Sequence, residues 1–539
     1  MKKFILLLAV FAAPILNAQQ DALVFFADKE DVAASIANPI SIMTQEAIDR
    51  KALHNTPIDE RDVPVNEDYI SQIKNATGIT VYAKSKWSNN VYVRGSQSNI
   101  EDLLNLPFVT EVEFMDRDLN FAPPTGTTPN KFLIENQTNS IIYNYGAAAN
   151  QTLMLNADFL HEQDFSGEGM IVAVLDAGFP SVNTNPGFSE IINEGRLLGT
   201  YDFESRQVNV DGTSSHGTNT SSDIGGFIQD QFVGTSPEAS FYLFVTEYVP
   251  SENPVEEAWW VEALERADSL GVDVINTSLS YRDFDNSAYD YSYEDLNGQT
   301  TIGARGANHA FDKGMIMVNS AGNGGNSGFQ TVGTPSDAPG VFTIGAVDSG
   351  GNYVSFSSRG PTVDGRIKPD VMAQGQGSAV IDTNGNVDFS SGTSFSSPIM
   401  AGAVTCLWQS RPEVPNAQLL QVIRESASLY ANPTNEMGYG IPDFEVAYNN
   451  LQILGIEQQL LDEQFALYPN PVTTNINVSF PKDVNQGEFI LFNVLGAKVL
   501  HTTISTTNNT VDLSALVSGM YIASIRSNNK TNSFKLIKE

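Results

Sequence analysis

The chain has 539 residues, of which 63 are acidic and 29 are basic, so its formal net charge is −34. This length exceeds that of one compact domain, and 41% hydrophobic residues indicate a folded protein rather than a disordered one. The excess of acidic residues argues against nucleic acid and anionic lipid as partners, because both repel a negative surface.

Residues 1–18 are predicted to be a secretory signal peptide. Lys2 and Lys3 precede a short apolar run from Phe4 to Leu16, and Ala18 provides a small residue for cleavage. A membrane anchor is the alternative, but the run is too short to span a bilayer comfortably. We therefore predict export and no stable membrane span.

Five further segments follow the signal peptide. Residues 19–118 contain alternating patterns that predict strands and a short helix, which together form a small α+β domain. Residues 119–144 are a polar, proline-containing linker. Residues 145–450 alternate apolar strands with helices, a pattern that predicts a parallel sheet flanked by helices. Residues 451–465 form an acidic linker, and residues 466–539 alternate like the strands of a small β-sandwich.

The sequence contains one cysteine, so this chain forms no internal disulfide. Cys406 lies in an apolar run, which predicts a buried core residue. Among the five histidines, His216 stands out because it lies in "DGTSSHGTNTSSDIGG". Small residues flank its ring, and Gly217 lets another segment of backbone approach closely.

Asp176 ends the continuous apolar strand in "MIVAVLDAGFP". Catalytic groups in open parallel sheets gather at the carboxyl ends of strands. A carboxylate there can orient a histidine and stabilise its charged form. The alternative is an aspartate that caps a helix or a turn.

Ser394 lies in "SSGTSFSSPIMAGAVTCLWQ", where Gly392 allows a tight turn before an apolar helix. A serine at a helix N-terminus is surrounded by unpaired N–H groups that stabilise a developing oxyanion. Pro398 is compatible with the first turn of such a helix. The alternative is a Ser/Thr-rich turn that merely caps the helix.

Asn323 follows another apolar strand in "IMVNSAGNGGNSG", where its amide could donate to an oxyanion. An ordinary Asn-Gly turn is the alternative. Each of these four fragments has a plain structural interpretation. Their occurrence together, at element ends of one α/β domain, favours a catalytic site.

The fragments "VAVLDAGF", "SSHGT", "VINTSLS", "SAGNGG" and "SGTSFSSPIMAGA" resemble the signatures of the subtilase family. The resemblance implies a subtilisin-like fold and a serine endopeptidase. It implies that Ser394 is the nucleophile, His216 the general base and then acid, and Asp176 the orienting carboxylate. Asn323 and the Ser394 N–H would form the oxyanion hole.

Three positions close in sequence to the candidate catalytic residues depart from the family pattern. Many members carry Ser or Thr after the aspartate, where this chain has Ala177, so one hydrogen bond to the carboxylate is expected to be lost. Asn219 and Ile399 stand where histidine is frequent. These departures bear on rate and pH optimum rather than on the presence of activity.

The resemblance also implies a substrate path in which Ser278, Leu279 and Ser280 pair with the substrate backbone as an extra strand. Ser280 stands where glycine is usual and is expected to narrow the first specificity pocket, whose floor is Gly333. We predict a preference for large apolar side chains before the cut. The insertion "YRDFDNSAYDYSYEDLNG" would overhang the cleft and favour basic residues further away, or would be a solvated loop.

The flanking segments resemble known modules. Residues 19–118 resemble a subtilase propeptide, which implies a zymogen cleaved between residues 118 and 145; an unrelated adhesion module is the alternative. Residues 466–539 resemble the sorting domain of type IX secretion cargo in Bacteroidetes, on the fragments "LYPNPVTTNINVSF", "FNVLGAKVL", "SGMYIASI" and "FKLIKE". The implied partners are protein substrates, the propeptide and the type IX machinery, with a secreted or surface-attached product.

The resemblance implies chemistry that requires no cofactor, and it allows a structural calcium ion for which no ligands are assigned. Two rival functions remain open. One is an inactive subtilase fold used for surface binding or adhesion. The other is the sedolisin arrangement, which uses Glu and Asp with an Asp oxyanion partner in acid; His216 and Asn323 speak against it.

Overall fold

A computed structural model describes residues 19–120, 143–212, 214–462, 465–481, 484–527 and 530–539. The chain divides into two compact units, which meet in the sequence between Tyr448 and Asn449. The predicted signal peptide and most of the linker at 119–144, with the expected cleavage site, lie outside the described residues. In the described part of the chain, no helix is long and apolar enough to cross a membrane.

The N-terminal domain is built on an antiparallel sheet of order β2-β3-β1-β4, with helices on one face. Its strands and helices are β1 (Gln19–Phe26), α1 (Val32–Ala37), α2 (Gln45–Leu53), α3 (Glu67–Asn75), β2 (Thr80–Ser85), β3 (Asn90–Ser96), α4 (Gln97–Glu101) and β4 (Val109–Phe114). The period of two in β1 sends Ala22 and Val24 into the core of this domain. Leu23 points the other way and joins the core of the following domain.

The next domain contains a seven-stranded parallel sheet of order β13-β12-β11-β10-β5-β9-β6. Its strands are nearly continuous runs of Val, Ile, Ala and Phe, as expected for strands that are covered on both faces. The first half comprises α5 (Ala149–Leu153), α6 (Asp158–Glu162), β5 (Ile171–Asp176), α7 (Ser189–Asn193), β6 (Leu197–Asp202), α8 (His216–Gly225), β7 (Phe227–Ile228), β8 (Phe232–Val233), β9 (Ser240–Val245) and α9 (Val255–Leu270). The second half comprises β10 (Val274–Thr277), α10 (Ile302–Asp312), β11 (Ile316–Ser320), β12 (Val341–Val347), β13 (Val371–Gln374), β14 (Ser378–Ile381), β15 (Val387–Ser390), α11 (Thr393–Ser410), α12 (Asn416–Ser426) and α13 (Phe444–Asp462).

Three neighbouring strands end at the same edge of this sheet. The strand β10 pairs in parallel with both β5 and β11, and the three end at Asp176, Thr277 and Ser320. The helix α11 packs against β10, β11 and β12 and is buried along nearly its whole length. Cys406 is one of its buried residues, as predicted. The polar groups that follow these strands and begin α11 are therefore brought to one edge.

The C-terminal unit contains two antiparallel sheets, which confirms the predicted β-sandwich. Their orders are β16-β17-β20 and β19-β18-β21-β22. The strands are β16 (Ala466–Tyr468), β17 (Asn475–Ser479), β18 (Gln486–Asn493), β19 (Lys498–Ser505), β20 (Thr510–Asp512), β21 (Gly519–Ser527) and β22 (Lys530–Lys538). Alternate residues point inward, for example Ile476 and Val478 of β17. Most of the acidic linker at 451–465 is helical, because α13 continues through it to Asp462.

Candidate active site

Asp176 and His216 form a hydrogen-bonded pair at the carboxyl end of β5. His216 Nδ1 lies 2.8 Å from Asp176 Oδ1 and 2.9 Å from Oδ2. Asp176 is fully buried, whereas His216, the first residue of α8, keeps 32% of its side chain exposed. The negative charge of Asp176 raises the pKa of His216, and burial of the ring opposes part of this rise. The carboxylate thus binds Nδ1 and leaves Nε2 for another partner.

Two further donors hold the carboxylate of Asp176. The Ala177 N–H donates to Oδ1 at 2.7 Å, and the Thr220 hydroxyl donates to Oδ2 at 3.1 Å. The hydroxyl that is missing at Ala177 is therefore replaced by one on another element. Sequence reasoning missed Thr220, although its spacing of four residues from His216 places both on one face of a helix.

Ser394 lies in the first turn of α11, two residues after Gly392. Gly392 has a φ of 155°, a backbone angle that favours glycine. The N–H of Ser394 precedes the first intrahelical bonds, and no described residue accepts a hydrogen bond from it. This turn therefore presents a hydroxyl and an unpaired N–H side by side.

Pro398 lies in the second turn of α11, not in the first turn that the sequence suggested. A proline has no N–H, so the carbonyl of Ser394, four residues earlier, loses its helical partner. The Ser278 hydroxyl donates to this carbonyl at 2.8 Å, and Ser394 Oγ donates to the Ser278 carbonyl at 3.4 Å. Ser278 therefore fixes the turn that carries Ser394 and also holds the Ser394 hydroxyl.

The amide of Asn323 faces the Ser394 turn. Its Oδ1 accepts from the Thr393 N–H at 2.9 Å and from the Thr393 hydroxyl at 3.1 Å. Because an N–H group only donates, the amide oxygen must lie on this side and Nδ2 on the other. A Cβ placed on Gly392 would lie 3.6 Å from Asn323 Nδ2 and 3.7 Å from Ser394 N. The two donors thus border one space, which the glycine keeps free of side-chain atoms.

Ser394 and Asn323 open into a cleft of about 630 Å³. All of the predicted substrate-binding residues line this cleft: Ser278, Leu279, Ser280 and Gly333. The backbone N–H and carbonyl of Ser280 form no backbone hydrogen bond with any described residue, so an extended peptide could pair with both. A Cβ on Gly333 would lie 2.5 Å from Ser280 Oγ, which shows that this hydroxyl occupies the space beside Gly333.

Carboxylates gather at one wall of the cleft, but they come from a different segment than the acidic insertion that the sequence suggested. Glu247 and Glu252 line the cleft, and Glu256 lies behind them. Glu247 Oε1 accepts from the Tyr281 hydroxyl at 2.6 Å and from the Thr246 hydroxyl at 3.1 Å. Burial raises the pKa of Glu247 to about 8, of Glu252 to about 7 and of Glu256 to about 9. We call Glu247 and Glu252 the acidic wall.

The insertion that follows Ser280 lies partly at the cleft and partly in the protein interior. Of its residues, all of which are described, Arg282 and Asp283 are the two that line the cleft. Tyr289 and Tyr291 are buried instead. The Tyr289 hydroxyl accepts a hydrogen bond from the Asp21 N–H at 3.2 Å, so it contacts the N-terminal domain. These two tyrosines therefore do not overhang the cleft, whereas Tyr293 packs against the cleft residue Phe329 with ring centroids 6.2 Å apart.

The N-terminal domain is held against α9 by buried polar contacts. Glu265 accepts hydrogen bonds from the N–H groups of Lys86 at 2.8 Å and Trp87 at 3.0 Å. These donors lie in the turn between β2 and β3. Lys51 Nζ lies 2.7 Å from Asp268 Oδ1, and both side chains are buried. This domain is therefore bound through specific partners as well as through apolar contacts.

No group of three or more His, Cys, Asp or Glu side chains in the described ranges is arranged to hold a metal ion. The acidic loops of this region thus offer no side-chain cluster for the calcium ion that the resemblance allows.

Three family models match the chain in the order that the sequence predicted. Residues 167–440 match the model of the subtilase family. Residues 21–131 match the propeptide domain of the same peptidases in Bacteroidota. Residues 466–539 match the C-terminal sorting domain of a secretion system. This sorting domain marks the protein as secreted or attached to the cell surface.

Individual proteins are similar to this chain over about half of its length. Subtilisin amylosacchariticus from Bacillus subtilis subsp. amylosacchariticus is 30% identical over 299 residues, which cover 54% of this chain and 69% of the relative. The membrane-bound transcription factor site-1 protease of Homo sapiens is 30% identical over 308 residues, covering 55% of this chain and 26% of that protein. The crystal structure of MycP1 from Mycobacterium smegmatis is 22% identical, with a TM-score of 0.43, over 58% of this chain and 88% of that one.

Proposed function

The chain belongs to the subtilase family of serine peptidases, and we propose that Asp176, His216 and Ser394 are its catalytic triad. The observation that carries this proposal is the pair of short contacts between His216 and the buried carboxylate of Asp176, in the domain whose α11 begins with Ser394. The family resemblance implies that the enzyme is an endopeptidase, which cuts within a protein chain.

In the acylation step, Ser394 Oγ attacks the carbonyl carbon of the scissile peptide bond while His216 Nε2 takes the serine proton. Asp176 keeps the imidazole oriented and stabilises its positive charge. The carbonyl oxygen becomes an oxyanion that accepts hydrogen bonds from Asn323 Nδ2 and from the Ser394 N–H. His216 then gives its proton to the leaving amine, which leaves an ester on Ser394.

Deacylation repeats these steps with water. His216 takes a proton from the water molecule, whose oxygen attacks the ester carbonyl. The same two donors stabilise the second oxyanion. The new carboxylic acid leaves, and the proton returns from His216 to Ser394 Oγ. Every role is filled by a group of the chain, so the proposed chemistry needs no cofactor.

The Ser278–Ser280 segment would bind the substrate backbone, and the part of the cleft that Ser280 and Gly333 line would be the first specificity pocket. Thr331 and Phe329 line the cleft together with Ser280. A preference for large apolar side chains before the cut stays our prediction, with a pocket that the Ser280 hydroxyl narrows.

The flanking domains imply that the enzyme is made as a precursor, exported and then processed. We propose that residues 19–118 act as a propeptide that stays bound through contacts such as those of Glu265 until it is cleaved and degraded. The sorting domain would direct the zymogen through the type IX machinery and then be removed. The product would be released or attached at the cell surface.

The pH profile tests this function against the sedolisin alternative. Ser394 needs neutral His216 as its base, and the charge of Asp176 raises the pKa of this histidine above its ordinary value of 6.5. We expect kcat/KM to be maximal in alkaline buffer and to fall tenfold per pH unit below that raised pKa. The measurement is kcat/KM for one peptide across acidic, neutral and alkaline buffers. Activity confined to acidic buffer would contradict the triad.

The acidic wall supports a second specificity, for basic residues further from the cut. In the described part of the chain, neither Glu247 nor Glu252 forms an ion pair with a Lys, Arg or His side chain. A substrate ammonium or guanidinium group would supply the missing positive charge. We expect the double variant E247Q/E252Q to weaken the preference for lysine over alanine about five- to tenfold. The residue concerned lies in the substrate further from the cut than the residue that enters the first pocket.

The measurement compares kcat/KM for peptides that differ only in this residue. Because burial raises the pKa of Glu247 to about 8 and of Glu252 to about 7, the wall gains charge as pH rises, and the preference for lysine should strengthen through this range. The exposed Glu168, away from the cleft, provides the control variant E168Q. An unchanged preference in the double variant would exclude the acidic wall as a specificity element.

A further inference from the structure

A hydroxyl on α8 holds the carboxylate of Asp176. The family resemblance predicts such a hydroxyl on the residue after the aspartate, which is Ala177 in this chain. Thr220 is fully buried, and its hydroxyl reaches Asp176 Oδ2 at 3.1 Å. We infer that Thr220 is a positioning residue of this peptidase, which fixes the carboxylate of Asp176 for His216. This inference rests on the proposed triad and adds a residue to it.

The helix α8 brings two groups to one carboxylate. His216 and Thr220 are four residues apart, so they lie one turn apart on the same face of α8. His216 Nδ1 contacts both oxygens of Asp176, the Ala177 N–H occupies Oδ1, and Thr220 occupies Oδ2. A carboxylate with a donor at each oxygen cannot rotate without breaking one of these bonds. The Thr220 hydroxyl therefore fixes the plane in which the imidazole must lie.

The Thr220 hydroxyl has two acceptors within reach. One is Asp176 Oδ2 at 3.1 Å, and the other is the Gly217 carbonyl at 3.2 Å. The hydroxyl carries one proton, so it donates to one acceptor at a time. The carboxylate is charged when the triad is active and is then the stronger acceptor. The bond to Asp176 should therefore prevail in the working enzyme.

The hydrogen bond from Thr220 to Asp176 also affects the pKa of His216. A hydroxyl that donates to the carboxylate draws part of its negative charge away from the imidazole. Removal of this donor should leave His216 facing a more negative Asp176 and raise the pKa of the histidine. A residue with a merely structural role would not move this pKa. The pH profile therefore separates positioning of the carboxylate from general support of the fold.

The test compares T220V, which keeps the shape of the side chain without the hydroxyl, with T220S, which keeps the hydroxyl. The enzyme is matured from the full chain, and kcat, KM and the pH profile are measured for one peptide. We expect T220V to lower kcat about tenfold with KM unchanged, the effect of one charge-assisted hydrogen bond, and to shift the acid limb of kcat/KM to higher pH. T220S should restore both.

A matched control and a rescue variant complete the test. Thr218 lies on the same helix and is also buried, but its hydroxyl donates to the Pro180 carbonyl at 2.9 Å. T218V should lower thermal stability without moving the acid limb. Ala177 is only half-buried, so a serine fits there, and A177S in the T220V background should recover part of kcat by supplying a hydroxyl from the other side.

The outcomes separate this inference from the function it rests on. If S394A is inactive while T220V matches the wild type in kcat and in pH profile, Thr220 has no positioning role and the triad stands. If S394A keeps wild-type activity, the proposed function itself fails. If T220V does not mature or fold, the comparison of A177S/T220V with T220S decides, and a double variant that matures and folds but has no activity, beside an active T220S, would overturn the inference.

Discussion

Replacement of Ser394 with alanine should lower kcat for casein and for peptides by about 10⁵- to 10⁶-fold. The alanine removes the oxygen that forms the acyl-enzyme, while Asp176, His216 and the N–H of residue 394 remain. Substrate binding should change little, because Ser278–Ser280 and Gly333 form the cleft without the Ser394 hydroxyl. The measurement is steady-state hydrolysis by purified chain, with the fold checked by circular dichroism.

A neighbouring serine provides the control for this variant. Ser391 is exposed and lies three residues before Ser394, where its hydroxyl accepts the Gly377 N–H at 3.0 Å. S391A should keep wild-type activity. Equal hydrolysis by S394A and the wild type would mean that Ser394 is not the nucleophile. A wild-type chain that folds but cleaves nothing would instead favour the rival of an inactive surface-binding protein.

The strands of the parallel sheet could be predicted from the sequence because their burial requires apolar residues. The strands β5, β10, β11 and β12 are short apolar runs because both faces of a parallel sheet are covered, and such runs are visible in sequence. A polar residue at the end of such a run has to lie at the carboxyl edge of the sheet. The positions of Asp176 and of the Ser394 turn could therefore be predicted from local patterns, and the family resemblance supplied their order and roles.

Two contacts that sequence reasoning missed join segments that are far apart in the chain. Thr220 contacts Asp176, 44 positions away, and Ser278 contacts the Ser394 carbonyl, 116 positions away. The spacing of His216 and Thr220 places both on one face of a helix, but no local pattern shows which distant group that face contacts. Pro398 illustrates the difficulty, because a proline in the second turn of a helix requires a substitute donor for a carbonyl. The sequence shows the proline but not that Ser278 is the donor.

The contacts of the insertion could not be predicted for a related reason. Its acids and tyrosines are compatible with an exposed loop near the cleft, which is the position that chain order suggests. Tyr289 instead meets Asp21, 268 positions away in the N-terminal domain. The acidic character expected of the insertion is supplied by Glu247 and Glu252, which follow β9. Negative charge near the cleft could thus be predicted from the sequence, but the segment that provides it could not.

Replacement of Asn323 with leucine should lower kcat by about 10²- to 10³-fold and leave KM almost unchanged. Leucine keeps the size of the side chain but has no N–H, so the oxyanion would keep only the Ser394 N–H as a donor. The ground-state carbonyl carries little charge, which is why binding should be spared. The measurement is kcat and KM for one peptide at a pH where His216 is neutral.

The nearby Asn326 tests whether the loss is specific to the donor at position 323. It is exposed in the same glycine-rich loop and does not line the cleft, so N326A should hydrolyse the peptide like the wild type. A loss in N323L that appears only in KM would assign Asn323 to substrate binding rather than to the oxyanion. Replacement by aspartate should be more damaging than leucine, because its negative charge would face the developing oxyanion in the space beside Gly392. Activity in the aspartate variant equal to that of the wild type would place the oxyanion elsewhere.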